Sequence, residues 1–279
     1  MKKYLSKFFE NEYKFLFKTL NYSTKSKFKI DSLNLSLKTN THIGKKYEKL
    51  VLPLDEIINI KIFNEAKWDY YIVKFIKKNI RSKDNHFIDI GANIGLISRQ
   101  LQNLDLKIKK YFCFEPEVNT FNILKKNLKN SNSYLFNFGL GHKARKTKLF
   151  MSDSNKSDSS FYFNKNRNSQ SSIVSFKNAN RVLSQIIKKN KINNIIYKSD
   201  TQGMDEEIFL NLNKSILDKT YLLIMEVSNF DLISKKQNLF LKKLKIFKNF
   251  FSENGSKISL YDIKILINKG KEFNILARK

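Results

Sequence analysis

The stretch FIDIGANIGLI, residues Phe87–Ile97, decides how the rest of the chain is read. An apolar run suited to a buried strand carries Asp89 near its end, Gly91 turns the chain, and helical spacing begins just after Gly95. Glycine lets the backbone approach a ligand with no Cβ in the way. In open α/β sheets ligands bind outside the carboxyl ends of the strands. Working outward, the same pattern recurs. KYFCFEP ends at Glu115-Pro116, YLFNFGLG at Gly139-Leu140-Gly141 and IIYKSDTQG at Gly203, and LLIMEVS follows. Short apolar runs closed by Gly, Pro or Asp predict parallel strands covered on both faces.

Helical spacing fills the gaps between these runs. Leu96, Ile97, Leu101 and Leu104 share one face over 95–107, and Val118, Phe121, Leu124 and Leu128 share one over 118–130. Strand and helix alternate, which predicts βαβ units with right-handed crossovers. Further on, NLFLKKLKIFKNFF reads as an amphipathic helix, and KISLYDIKILI and KEFNILARK as a closing antiparallel hairpin across NKGK. Residues 152–180, rich in Ser and Asn, read as a surface loop with a short embedded strand or as a lid over a site. Before residue 80 a helix is expected over about 65–80. Tyr4, Leu5, Phe8, Phe9, Tyr13, Leu16 and Leu20 form a helical stripe that packs on protein or lies peripherally on an anionic membrane.

Composition narrows the classes. The 279 residues carry 53 basic and 25 acidic side chains, a formal net charge of +28, yet 41% are hydrophobic and 13% aromatic. That is too much core-forming material for a disordered basic tail. Only six of the basic residues are Arg, and the charge is spread along the whole chain. Specific phosphate and base recognition leans on the guanidinium fork, so nucleic acid is not the expected partner. Asn is also abundant, at 33 residues, so Lys and Asn together look like the background of an A/T-rich genome. One cysteine, Cys113, cannot form an internal disulfide, which points to a reducing, cytoplasmic setting. No apolar run is long enough for a membrane span, and the first twenty residues lack a secretory signal.

The chemistry concentrates around the first loop. Glu115 stands twenty residues after Gly95, at the end of the second strand, where an acid suits the hydroxyls of a ribose. The loop is Gly91-x-x-x-Gly95 and not the GxGxxG of dinucleotide binders. A nucleoside without a pyrophosphate is the better match, and S-adenosylmethionine is the candidate. Asp200 and Glu226 close adjacent strands beside the same crevice. Either can serve as a base toward a hydroxyl or cap local backbone. Two carboxylates can also hold Mg²⁺, although no dense ligand cluster demands a metal. His42, His86 and His142 are scattered, and only His142 falls near the crevice.

DIGANIG, FEPEVNTFNILKKNL, KSDTQGMDEEI and IMEVS, in that order, resemble the FkbM family of S-adenosylmethionine-dependent methyltransferases over about residues 55–230. The resemblance implies a Rossmann-like class I methyltransferase fold. Its mostly parallel seven-stranded sheet would carry helices on both faces and end in the C-terminal hairpin. Residues 55–279 would form the methyltransferase domain, behind a partly helical extension over 1–54. It further implies that Asp89, Gly91, Ala92, Asn93, Gly95, Glu115, Pro116, Gly139 and Leu140 hold the cofactor. Asp200, with Gln202 and Glu226 in support, is the expected base or acceptor anchor. The implied reaction is methyl transfer to a hydroxyl of a sugar, glycan or natural-product-like acceptor, which the basic surface favours as an anionic one. An RNA acceptor or a catalytically inactive relative is the alternative. Ser199, Asp205 and Ser184 depart from the family pattern, in which an apolar residue, Glu and Asp are usual.

Overall fold

The computed structural model describes residues 32–37, 41–46, 48–53, 56–81, 83–128, 132–151 and 170–279. The stripe over 1–20 and most of the stretch over 152–180 lie outside them. β1 (Ser32–Ser36) and β2 (Lys49–Pro53) pair as an antiparallel ribbon. Helix α1 (Glu56–Glu65) precedes the helix expected over about 65–80, which is present as the separate α2 (Tyr70–Asn79). Ala66 and Asp69 take left-handed backbone between them, which an uninterrupted helix forbids.

The central sheet then begins. β3 (Asn85–Ile90), α3 (Leu96–Asn103), β4 (Ile108–Phe114), α4 (Val118–Asn127) and β5 (Ser133–Phe136) run outward in one direction. Next, β6 (Gly139–Gly141), β7 (Arg145–Met151) and β8 (Gln170–Asn178) form a separate three-stranded sheet. After α5 (Ala179–Asn190) the chain returns to the other side of β3 as β9 (Asn194–Ser199). Helices α6 (Asp205–Asn211) and α7 (Lys214–Lys219) lead to β10 (Thr220–Val227), followed by α8 (Phe230–Leu244), β11 (Asn249–Phe251), β12 (Lys257–Ile258), α9 (Leu260–Asn268) and β13 (Phe273–Arg278).

The sheet order is β12-β11-β13-β10-β9-β3-β4-β5. The expected α/β sheet with helices on both faces is present, but among the described residues it has eight strands in mixed orientation and not seven. β5, β4, β3, β9 and β10 are parallel, and β13 inserts antiparallel between β10 and β11. β3 and β10 are buried along their whole length, as strands covered on both faces must be. One core, including Leu183, Ile208, Phe240 and Ile263, packs α5, α6, α8 and α9 on one face, and another, including Ile76, Leu101 and Leu124, packs α2, α3 and α4 on the other.

Three sequence expectations are corrected. YLFNFGLG is two strands in two sheets, because the Asn137 side chain donates to the Glu115 and Pro116 carbonyls and draws the chain out of line after β5. NLFLKKLKIFKNFF holds only the end of α8, and its NFF forms β11. The C-terminal hairpin is absent: KISLYDIKILI is mostly α9. Ser259 Oγ accepts from Asp262 N at 3.1 Å and Asp262 Oδ2 accepts from Ser259 N at 2.8 Å, a capping box that starts a helix. Its apolar residues Ile263 and Ile267 then face the core at helical spacing.

Residues 41–46 and 48–53 pack on the sheet's helices. Asn127 of α4 accepts from Val51 N and donates to Val51 O, both at 2.8 Å, and donates to Ile94 O at 3.0 Å. Arg99 of α3 donates to Ile43 O and pairs with Glu48 at 3.1 Å.

Candidate active site

The switch point lies between β3 and β9, where the chain departs to opposite sides, and there the carboxyl ends of the strands leave a crevice. The loop after β3 is stitched to both neighbouring strands. Gly91 N and Ala92 N donate to Phe114 O at 3.0 Å, and Asp200 N donates to Ile90 O at 3.0 Å. Gly91 has φ +71°, and a Cβ there would run into the Asp200 carbonyl. Asn93 takes φ 51°, and its side-chain oxygen accepts from Ile94 N at 2.8 Å. Gly95, at φ +83°, caps α3, and a Cβ would meet Leu124 and Leu128. The first glycine therefore permits a backbone crossing and the second permits helix packing.

Glu115 follows β4, and its two carboxylate oxygens accept from Asn93 N at 3.0 Å and Glu117 N at 2.9 Å. Burial pushes its carboxyl up to about 7, against the opposing pull of those two backbone donors. Gly139 and Leu140 lie across from it, with Gly139 packed under the Phe176 ring.

At the other end stand the carboxylates of β9 and β10. Gln202 Nε2 donates to Asp200 Oδ1 at 3.1 Å, and Lys198 Nζ lies 3.8 Å from Asp200 Oδ2. Glu226 is buried, takes a 3.4 Å bond from Ser228 Oγ, and is pushed up to about 10 by desolvation and by the nearby Asp200, Asp205 and Glu272 carboxylates. That environment favours the protonated form of Glu226, which suits it to donate a hydrogen bond more than to serve as a base. Asp205 is also buried. It holds the Ser199 hydroxyl and accepts from Thr201 N at 2.9 Å, and burial raises its carboxyl to about 7. Ser199 and Asp205 are thus one hydrogen-bonded pair.

One cavity of about 350 Å³ joins these ends, large enough for a small cofactor. It brings together Gly91, Ala92, Asn93, Glu115, Pro116, Gly139 and Leu140 with Asp200, Gln202 and Glu226. Asp89 and Gly95 are not in its lining. Asp89 is fully buried beneath the loop and pairs with Lys198 at 3.1 Å, while its second oxygen accepts from Ser98 Oγ at 2.8 Å. His142 pairs with Glu207, and Ser184 lies away on α5. Burial pushes the Cys113 thiol up, so it behaves as a small apolar side chain. Among the described residues no group of three or more His, Cys, Asp or Glu is arranged to hold a metal ion.

Sequence reasoning missed Lys198, Asp69, Tyr71, Glu253, Glu272 and Asn274, which also line the cavity. Lys198 carried a signal, because a lysine inside an otherwise apolar strand needs a buried partner. The others come from distant segments, and nothing local marks them. Asp69, Asp200, Glu226, Glu253 and Glu272 give the lining five carboxyl groups beyond Glu115 and Glu117, against Lys198 as its one basic side chain among the described residues.

The chain is similar in structure to two methyltransferases. One is the FkbM methyltransferase from Methylobacillus flagellatus KT, at 13% identity and a TM-score of 0.46, over 80% of this chain and 54% of that one. The other is a precorrin-6y C5,15-methyltransferase from Geobacter metallireducens GS-15, at 13% identity and a TM-score of 0.35, over 75% and 87%. The chain thus spans about half the length of the FkbM methyltransferase. No protein-family model and no curated protein matches the sequence.

Proposed function

We propose that the protein is an S-adenosylmethionine-dependent O-methyltransferase acting on a hydroxyl of a sugar, glycan or natural-product-like acceptor. The observation that carries the reading is the cavity at the switch point, with the Glu115 carboxylate at one end and Asp200 at the other. Residue types and geometry fit the cofactor. Glu115 retains lone pairs for two ribose hydroxyls, the Gly91–Asn93 backbone flanks the middle, and Gly139-Leu140 flanks the adenine end. Bound there, S-adenosylmethionine supplies a methyl group on a positively charged sulfur to an oxygen nucleophile.

Neighbouring strands lie about 4.8 Å apart, so Glu115 beyond β4 and Glu226 at the end of β10 are roughly 14 Å apart along the sheet. A nucleoside reaching from β4 across β3 leaves its reactive end over β9. The acceptor then lies over β10 and β13, beside Glu226, Glu272 and Asn274. Asp200, on the border, orients the acceptor hydroxyl and is the group in reach to take its proton, while protonated Glu226 donates a hydrogen bond to a second acceptor oxygen. Holding acceptor and donor in line supplies much of the rate of such a displacement.

The acidic lining favours a neutral, hydroxyl-rich acceptor over an anionic one, because like charges in a confined site repel. In this reading the expectation of an anionic acceptor, drawn from the basic surface, gives way to a neutral one. The test is transfer of labelled methyl from S-adenosylmethionine into a cell extract separated into glycan, lipid, nucleic-acid and small-molecule pools. Label in the glycan or small-molecule pool is expected. Label confined to RNA would replace the acceptor class, and calorimetry without cofactor binding would remove the enzyme.

A further inference from the structure

Resting on the methyl-transfer reading above, we propose that Lys198 is a positioning residue that locks the cofactor loop to Asp200. Lys198 and Asp200 are two apart on one strand run and so point to the same side. Asp89 stands directly beside Lys198 in the β3–β9 register. The Lys198 ammonium, itself buried, donates to Gly91 O at 2.8 Å and lies 3.1 Å from Asp89 Oδ1 and 3.8 Å from Asp200 Oδ2. Through Asp89 it also reaches Ser98 of α3, the helix that follows the loop. One cation thus joins the end of β3, the turn at Gly91, the start of α3 and the carboxylate on the acceptor side.

Stability alone does not call for this arrangement. A well-packed apolar pair in place of a buried ion pair is often neutral or stabilising. What the ammonium adds is direction. A carbonyl in the left-handed turn at Gly91 has no strand partner to orient it, and Asp200 stands one residue beyond the end of β9 with a half-buried side chain. Lys198 fixes both relative to the same atom, so the cofactor loop and the acceptor anchor hold a common geometry. Asp89, buried outside the cavity lining, then acts on the cofactor through Lys198 and Ser98 and not by contact.

The test compares wild type with the charge-balanced double variant Asp89→Asn/Lys198→Met, since Lys198→Met alone strands a buried carboxylate. Three quantities are read: the thermal midpoint, S-adenosylhomocysteine affinity by calorimetry, and labelled methyl transfer into cell extract. The double variant is expected to unfold within about 5 °C of wild type. It should bind S-adenosylhomocysteine about tenfold more weakly, the scale of losing a supporting partner, with transfer at saturating cofactor also reduced. A folded double variant with wild-type affinity and transfer overturns the proposal. If the double variant does not fold, Lys198→Arg keeps the charge beside Asp89 but cannot put a single nitrogen under Gly91 O, and wild-type affinity in that variant overturns the proposal equally. Wild-type protein that binds no S-adenosylhomocysteine overturns the methyl-transfer reading itself and this role with it, whereas wild-type binding with unaffected variants overturns this role alone.

Discussion

The backbone nitrogen of Asn93 donates to Glu115 Oε2 at 3.0 Å, so the turn after β3 is held by the acid that closes β4. Two features that stand apart in the sequence as separate expected cofactor contacts are one hydrogen-bonded unit. On the proposed methyl-transfer reading, cofactor binding depends on the protonation state of one carboxyl and on the shape of one turn.

The pH dependence of cofactor binding follows from the first of these. With its carboxyl at about 7, Glu115 is mostly protonated at pH 6 and mostly ionised at pH 8. Ribose hydroxyls donate better to the ionised form, so S-adenosylhomocysteine should bind up to about tenfold more tightly at pH 8 than at pH 6. In Glu115→Gln the affinity should be weaker throughout and flat over this range. Calorimetric titrations at both pH values measure it, and a wild-type affinity that is equal or tighter at pH 6 would contradict the assignment.

Gly91 tests the shape of the turn. Gly91→Ala forces a Cβ into the Asp200 carbonyl at a positive φ, a strain of order 1–3 kcal/mol or more. The expected result is a lower thermal midpoint together with loss of most cofactor affinity, since the β3–β9 crossing must open. Gly203 also has positive φ, but a Cβ added there would meet nothing within 4 Å, so Gly203→Ala should lower stability without abolishing binding.

Stability should fall as pH rises. Glu226 and Asp205 have folded values of about 10 and about 7, above the ordinary carboxyl range. The folded state therefore binds more protons than the unfolded one once pH passes about 4.5. Their contribution is fully present below that pH and is lost progressively up to about 7 for Asp205 and about 10 for Glu226. Urea unfolding should show a decrease of a few kcal/mol between pH 5 and 8, and Glu226→Gln should flatten that slope. A slope of opposite sign in the wild type would show that these groups are not buried as described.

Asn127→Ala should cost at least about 3 kcal/mol, because it strands the amide and carbonyl of Val51 and the carbonyl of Ile94 in buried surroundings. A loss in denaturant midpoint at constant slope measures this. A change below about 1 kcal/mol would mean that β2 is not docked on α4.

Much of this protein is legible in one dimension, and the failures have a common cause. The four strand ends around the crevice, with Glu115 and Asp200 on them, are readable because each combines an apolar run with a scarce turn residue. KISLYDIKILI misleads because an apolar residue at nearly every second place also satisfies helical spacing, and only the reciprocal Ser259–Asp262 bonds choose between the two. Asp89 is expected in the cofactor site because it sits in the loop motif, yet its side chain points beneath the loop toward Lys198.

Residue order alone establishes the alternation of strand and helix, the position of the turn at Gly91 and the acid that follows the next strand, because these depend on local backbone freedom and on apolar periodicity. The folded chain was needed to establish that β13 enters the sheet antiparallel, that Lys198 joins Asp89, Gly91 and Asp200, and that a chain of net charge +28 turns five carboxyl groups besides Glu115 and Glu117 into one cavity. Those outcomes depend on which distant segments meet across the sheet, and burial and charge compensation there act between residues that no local pattern connects.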